Sequence, residues 1–179
     1  MSQVASNYGQ ALFDLVKEEQ LDTQVLQELS ALQEAFAREP DFITLLSAPN
    51  LSKQERCDIL EKSFRDQVHI YVLNFMKILT EKGYMRHFAE CCKVYRQLYN
   101  ELHGILPVQV VTAVPLQQSQ ADKLTQKLNQ ITGKKVELSC RVDPSVLGGV
   151  RLDYDGKQVD GTVQGRLDSV RDLLKNTVL

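Results

Sequence analysis

The hydrophobic period of this chain changes near residue 105, and that change limits the fold more than any other feature of the sequence. Before it, apolar residues recur at the three- and four-residue steps of an α-helix. After it, β-branched runs and period-2 alternation take over, together with most of the glycines. Charge changes at the same place. Residues 1–105 carry 15 acidic and 11 basic side chains, whereas 106–179 carry 8 and 10, so the net charge passes from −4 to +2. Two domains of different chemistry are expected, 1–105 and 106–179, in a chain of 179 residues that is long enough to enclose its cores without disulfides or metals.

In the first part, Val4, Tyr8, Ala11, Leu12, Leu15 and Val16 fall on one face of a helix. A second helix starts at Leu21-Asp22-Thr23 and carries Val25, Leu26, Leu29, Leu32 and Phe36. It ends at Glu39, because Pro40 disfavours helical backbone in the residue before it. A short third helix is expected over 41–47. Ser52-Lys53-Gln54-Glu55 reads as a capping box, in which a hydroxyl and a carboxylate each take up the other residue's backbone amide; it opens a fourth helix with Cys57, Ile59, Leu60 and Phe64. The fifth carries Val68, Tyr71, Val72, Phe75, Met76 and Leu79 and stops at Gly83. The sixth carries Phe88, Cys91, Cys92, Tyr95, Leu98, Tyr99 and Leu102 and stops at Gly104.

Beyond the break, Pro107 to Val114 reads as a strand from its β-branched content. Ser119 to Thr132 returns to helical spacing through Ala121, Leu124, Leu128 and Ile131, and Gly133 ends it. Val136, Leu138, Cys140 and Val142 alternate along a second strand, and Val150, Leu152 and Tyr154 along a third. Asp155-Gly156 suits a two-residue type I′ hairpin turn leading to Val159. Val163, Leu167, Val170 and Leu174 predict a last amphipathic helix. The fold class expected is mainly α, an N-terminal six-helix bundle followed by a small α/β C-terminal domain.

Composition and motifs exclude several classes of function. A net charge of −2 and a pI near 5.9 argue against affinity drawn chiefly from nucleic-acid phosphates. Apolar runs fall short of the roughly 18 residues of a membrane-spanning helix, so no direct span is expected. The N-terminus lacks a basic region followed by an apolar core, so the chain is expected to stay in the compartment where it is made. Cys57, Cys91, Cys92 and Cys140 form no CxxC pair and suit a reducing cytoplasm.

Phosphate-loop, HExxH, GxSxG and GxGxxG motifs are absent, and His69, His87 and His103 never form the i, i+4 pair that one helix would offer a metal. Cys91 and Cys92 sit on the apolar stripe of their helix as small hydrophobes. Gly148-Gly149 reads as a bulge or close backbone packing rather than a phosphate cradle. The first forty residues, with seven acidic and two basic side chains, read as a solvated helix face, though a basic partner stays open. A binding or scaffolding protein is the class these readings favour, with no catalytic residues, no metal and no cofactor. The alternatives are a small cytosolic enzyme whose site is assembled from distant residues, and a nucleic-acid-binding adaptor using Lys134, Lys135 and Arg141.

Asp143-Pro144-Ser145-Val146-Leu147-Gly148-Gly149-Val150-Arg151-Leu152, followed by Val159-Asp160-Gly161-Thr162-Val163-Gln164-Gly165-Arg166-Leu167, closely resembles the C-terminal signature of the delta subunits of F-type ATP synthase and of their mitochondrial counterpart, the oligomycin-sensitivity-conferring protein. The resemblance extends over the whole chain. Tyr8-Gly9-Gln10-Ala11-Leu12-Phe13 is similar to the family's first-helix motif, Leu46-Ser47-Ala48-Pro49 to its mid-domain turn, and Asn74-Phe75-Met76-Lys77-Ile78-Leu79 to its fifth helix. Gly83-Tyr84 stands where the family commonly has Asn-Arg, and Thr162 where it has Ser.

The resemblance implies a non-catalytic stator subunit, peripheral on the cytoplasmic face of the cell membrane. It implies that the N-terminal bundle holds the N-terminal helices of the alpha subunits of the catalytic head, and that the C-terminal domain binds the b subunits of the peripheral stalk. The residues it points to for alpha binding are Tyr8, Ala11, Leu12, Tyr71, Phe75, Met76 and Leu79. The stalk-binding signature is Leu147, Gly148, Gly149, Val150, Asp160, Gly161, Thr162, Gly165 and Arg166. Helix five carries apolar side chains around more than half its circumference, so some, Met76 among them, are expected to be spare for a partner.

Overall fold

Ser2 starts the first helix: its hydroxyl accepts the Ala5 amide at 3.3 Å, and α1 (Gln3–Glu18) follows. The computed structural model describes residues 2–48, 51–146 and 148–162. The chain falls into two compact units, Met1–Tyr99 and Asn100–Leu179. Among the described residues there are seven α-helices and one four-stranded sheet. The last amphipathic helix expected from Val163 onward, and Pro49 of the mid-domain turn, lie outside the described residues.

The first unit is built from α1, α2 (Asp22–Arg38), α3 (Pro40–Leu46), α4 (Lys53–Phe64), α5 (Ile70–Glu81) and all but the last turn of α6 (Phe88–Leu102), with a 3-10 turn over Met85–His87. Pro40 does more than end α2: it takes the first position of α3, where its missing amide costs no helical hydrogen bond. The capping box forms as expected, with the Glu55 amide donating to Ser52 Oγ at 3.2 Å and the Ser52 amide donating to the Glu55 carboxylate at 2.8 Å. Asp22, expected at a cap, lies inside the first turn of α2, and Leu21 precedes the helix. The core is aromatic at its centre. Phe36 meets Phe88 edge to face at 5.2 Å and Phe13 meets Tyr95 at 5.4 Å, while Tyr95 is fully buried and donates its hydroxyl to the Asp22 carbonyl at 2.9 Å.

In the second unit, β1 (Ile105–Thr112) and β2 (Lys135–Val142) pair in parallel, so the chain must cross over between them; α7 (Gln118–Thr132), which packs on β2, is that crossover. Gly133 ends α7 with φ +66, the left-handed backbone that spares a side chain the usual clash. β3 (Val150–Tyr154) returns antiparallel to β1 and pairs with β4 (Lys157–Asp160), giving the order β2-β1-β3-β4. Asp155 and Gly156 have φ +46 and +70, as a type I′ hairpin requires. Central β1 supplies Leu106, Val108, Val110 and Val111 to the buried interior. Val114, expected in the strand, lies beyond it: Thr112 turns its hydroxyl onto the Val114 carbonyl at 2.7 Å, and Val114 is exposed.

Candidate partner-binding surfaces

α1 and α5 lie side by side and antiparallel, and two contacts at opposite ends establish the direction. At one end Tyr71, in the first turn of α5, donates its hydroxyl to Glu19, just past the end of α1. At the other, Tyr8 of α1 meets Tyr84, beyond the end of α5, edge to face at 6.0 Å. The bond to Glu19 raises the Tyr71 pKa above the usual phenol value, with burial adding to it. Along this pair the two helices expose apolar side chains. Leu15 of α1 is 46% exposed, Ile78 of α5 is 44% exposed, and Ile70 at the start of α5 is 54% exposed. Ala11 is exposed, and Tyr8 and Tyr71 are half-buried.

Four residues expected at this surface belong to the core instead. Leu12 and Phe75 are buried, and Met76 and Leu79 have no exposed surface at all, so none of the four offers its side chain to a partner in the isolated chain. Met76 is therefore not spare. The apolar arc of α5 is wide because one side of it, through Val72, Leu73, Phe75, Met76 and Leu79, packs the unit, while Ile78 turns outward. Leu15 and Ile78 are the exposed candidates that periodicity placed on the apolar arcs but did not single out as site residues. Each directly adjoins a buried residue in sequence, Val16 and Leu79, and only burial separates the neighbours.

In the second unit the C-terminal signature forms a tight backbone crossing. Gly149, at φ +90, approaches Gly161 so closely that a β-carbon there would stand 2.6 Å from the Gly161 carbonyl oxygen and 2.8 Å from Thr162 Cα. The Gly161 amide donates to the Val150 carbonyl at 3.0 Å, and the Thr162 amide donates to the Asp160 carboxylate at 2.9 Å. Thr162 holds the Asp160 pKa below the usual carboxylate value, chiefly through its side chain and then its amide, and Arg151, opposite Asp160 in the β3–β4 ladder, lowers it further. Gly148 and Val150 flank the crossing. Leu147, Gly165 and Arg166 lie outside the described residues.

Cys91 and Cys92 are buried in the first unit, and burial pushes the Cys91 thiol up to about 11 and Cys92 higher still, which disfavours the reactive thiolate. Among the described residues, no three His, Cys, Asp or Glu side chains come together as a metal site, and no helix is long and apolar enough to cross a membrane.

The family described as ATP synthase delta (OSCP) subunit matches residues 4–174, across both surfaces. The chain belongs to this family. As a delta/OSCP subunit of an F-type ATP synthase it is a non-catalytic component of the stator, in the peripheral stalk. It is 32% identical over 176 residues to the ATP synthase subunit delta of Alkaliphilus oremlandii (strain OhILAs), covering 98% of each chain. It is 28% identical to that of Clostridioides difficile (strain 630), covering 98% of this chain and 97% of the relative. A chain in the cryo-EM structure of the Toxoplasma gondii mitochondrial ATP synthase hexamer shares the delta-subunit fold seen here, with a TM-score of 0.78 over 97% of this chain and 98% of that one, at 19% identity.

Proposed function

We propose that the N-terminal six-helix bundle holds the N-terminal helix of an alpha subunit along the α1/α5 surface, and that the C-terminal α/β domain binds the b subunits of the peripheral stalk. In this arrangement the protein ties the catalytic head to the stalk on the cytoplasmic face of the membrane, so that the head resists the torque of the rotor. The observation that carries the alpha contact is the antiparallel pair of helices exposing Leu15, Ile70 and Ile78 beside the small Ala11. An amphipathic helix laid along such a pair would cover apolar side chains that water now reaches, while Tyr8 and Tyr71 offer apolar rings with polar tips at its two ends. Burying them gives a stator joint slow dissociation, which a joint loaded at every turn of the rotor requires.

The test is binding of an alpha N-terminal peptide by calorimetry. Leu15→Asp and Ile78→Asp should each weaken it at least tenfold, about 1.4 kcal/mol, with the helical circular dichroism unchanged. Wild-type affinity in both variants would exclude this surface as the alpha site.

A further inference from the structure

The signature residues of the C-terminal unit are arranged less like a contact patch than like a clasp. Gly149 and Gly161 stand on opposite arms of the β3–β4 hairpin, just past its paired residues, and the Gly161 backbone occupies the space a side chain on Gly149 would need; a β-carbon on Gly161 would in turn stand 3.0 Å from the Val150 carbonyl oxygen. The contact is closed on one side by the hydrogen bond from the Gly161 amide to Val150, which carries the β3–β4 pairing one step beyond the strand end. It is closed on the other by Asp160, whose carboxylate takes the Thr162 amide and bends the chain as it leaves β4. Thr162 is only 4% exposed, so the residue at which the chain departs is itself packed. Three features thus act on a single point, the exit of the chain from the sheet.

We propose that Gly149, Asp160 and Gly161 are positioning residues for stalk binding: they clamp the end of β4 at Thr162, so that this end of the β3–β4 hairpin is presented to the b subunit in one fixed arrangement. This rests on the reading that the C-terminal domain is the b-binding part. A fixed exit leaves less conformational entropy to lose on binding than a free one. The side chain of Asp160 matters here as a hydrogen-bond acceptor for the Thr162 amide, not as a charge offered to the partner.

The test compares the full chain with Asp160→Ala, Asp160→Asn and Gly149→Ala, measuring affinity for a soluble b-subunit fragment together with amide hydrogen exchange. Asp160→Asn keeps an acceptor oxygen and loses the charge. It should bind within about twofold of wild type, while Asp160→Ala should lose about tenfold, with faster exchange at Gly161 and Thr162 and unchanged protection of Val110 and Cys140 in the β1–β2 pair. Gly149→Ala should behave like Asp160→Ala; if it fails to fold, the two Asp160 variants decide. Equal losses in Asp160→Asn and Asp160→Ala would mean that the charge touches the partner, and the clasp is overturned. Opened exchange without loss of binding, or loss of β1–β2 protection along with the exit, would overturn it as well. A wild-type protein that does not bind the b fragment would instead refute the domain assignment on which the proposal rests.

Discussion

Gly9 of α1 lies against Val94 of α6 with no room between them: a β-carbon at position 9 would stand 2.9 Å from Val94 Cβ and 2.8 Å from the Cys91 carbonyl oxygen. The helices meet here at backbone distance. Phe13 packs on Tyr95 one turn further along, and Ser2 donates its amide and hydroxyl to Glu90 at the start of α1. Gly9 is therefore a packing requirement inside a helix, a place where glycine is otherwise unfavourable.

Two effects of opposite sign compete in Gly9→Ala. Alanine raises helix propensity by about 1 kcal/mol, but the new methyl collides with a backbone oxygen that cannot rotate away, and overpacking of this kind costs about 1–3 kcal/mol. The collision wins. Urea unfolding should show a lower midpoint with an unchanged slope; a raised midpoint would show that α1 and α6 can separate cheaply.

Met76 and Ile78 lie two residues apart on α5 and should respond oppositely to the same substitution. Met76→Asp buries a carboxylate with no partner in the core and should destabilise the protein by more than about 3 kcal/mol. Ile78→Asp should leave the unfolding midpoint within about 0.5 kcal/mol of wild type. Met76→Leu, which keeps volume and polarity, should also be tolerated. A folded Met76→Asp protein with native stability would contradict the buried placement.

The cysteines should separate cleanly by labelling. Cys140 is exposed on β2, whereas Cys57, Cys91 and Cys92 are buried and burial raises all three of their thiol pKa values. Iodoacetamide at neutral pH should add one label to the native protein and four after denaturation, as read by intact mass. Rapid native labelling of Cys91 or Cys92 would mean that α6 is open on that timescale.

The capping box predicts a pH effect of definite sign. Hydrogen bonds from the Ser52 amide, and then its hydroxyl, hold the Glu55 pKa below its ordinary value, so the folded state binds this proton less readily than the unfolded chain. Its contribution to stability is complete above the unfolded Glu pKa of about 4.3 and is lost as the pH falls through the lower folded value. Glu55→Gln keeps an acceptor for the Ser52 amide but has no proton to gain. The stability difference between wild type and Glu55→Gln, followed by urea midpoints, should shrink as the pH drops from 6 toward 3. A difference that stays constant would show the carboxylate plays no part.

Local order was legible in the residues themselves. The helices of the first unit, the capping box at Ser52 and Glu55, the left-handed stops at Gly83, Gly104 and Gly133, and the Asp155-Gly156 hairpin all depend on groups within a few positions of one another, which periodicity and turn chemistry report directly. The candidate surfaces were legible only in part. Sequence pointed to the first and fifth helices as the proposed alpha surface but could not tell Met76 from Ile78, because both belong to one broad apolar arc and burial depends on which neighbours pack against it. Nor could it show that β1 pairs in parallel with β2 and antiparallel with β3. Those relations join residues distant along the chain. Only the packed tertiary structure decides them, because there the loss of chain entropy in bringing distant segments together is offset by the apolar surface and hydrogen bonds they share.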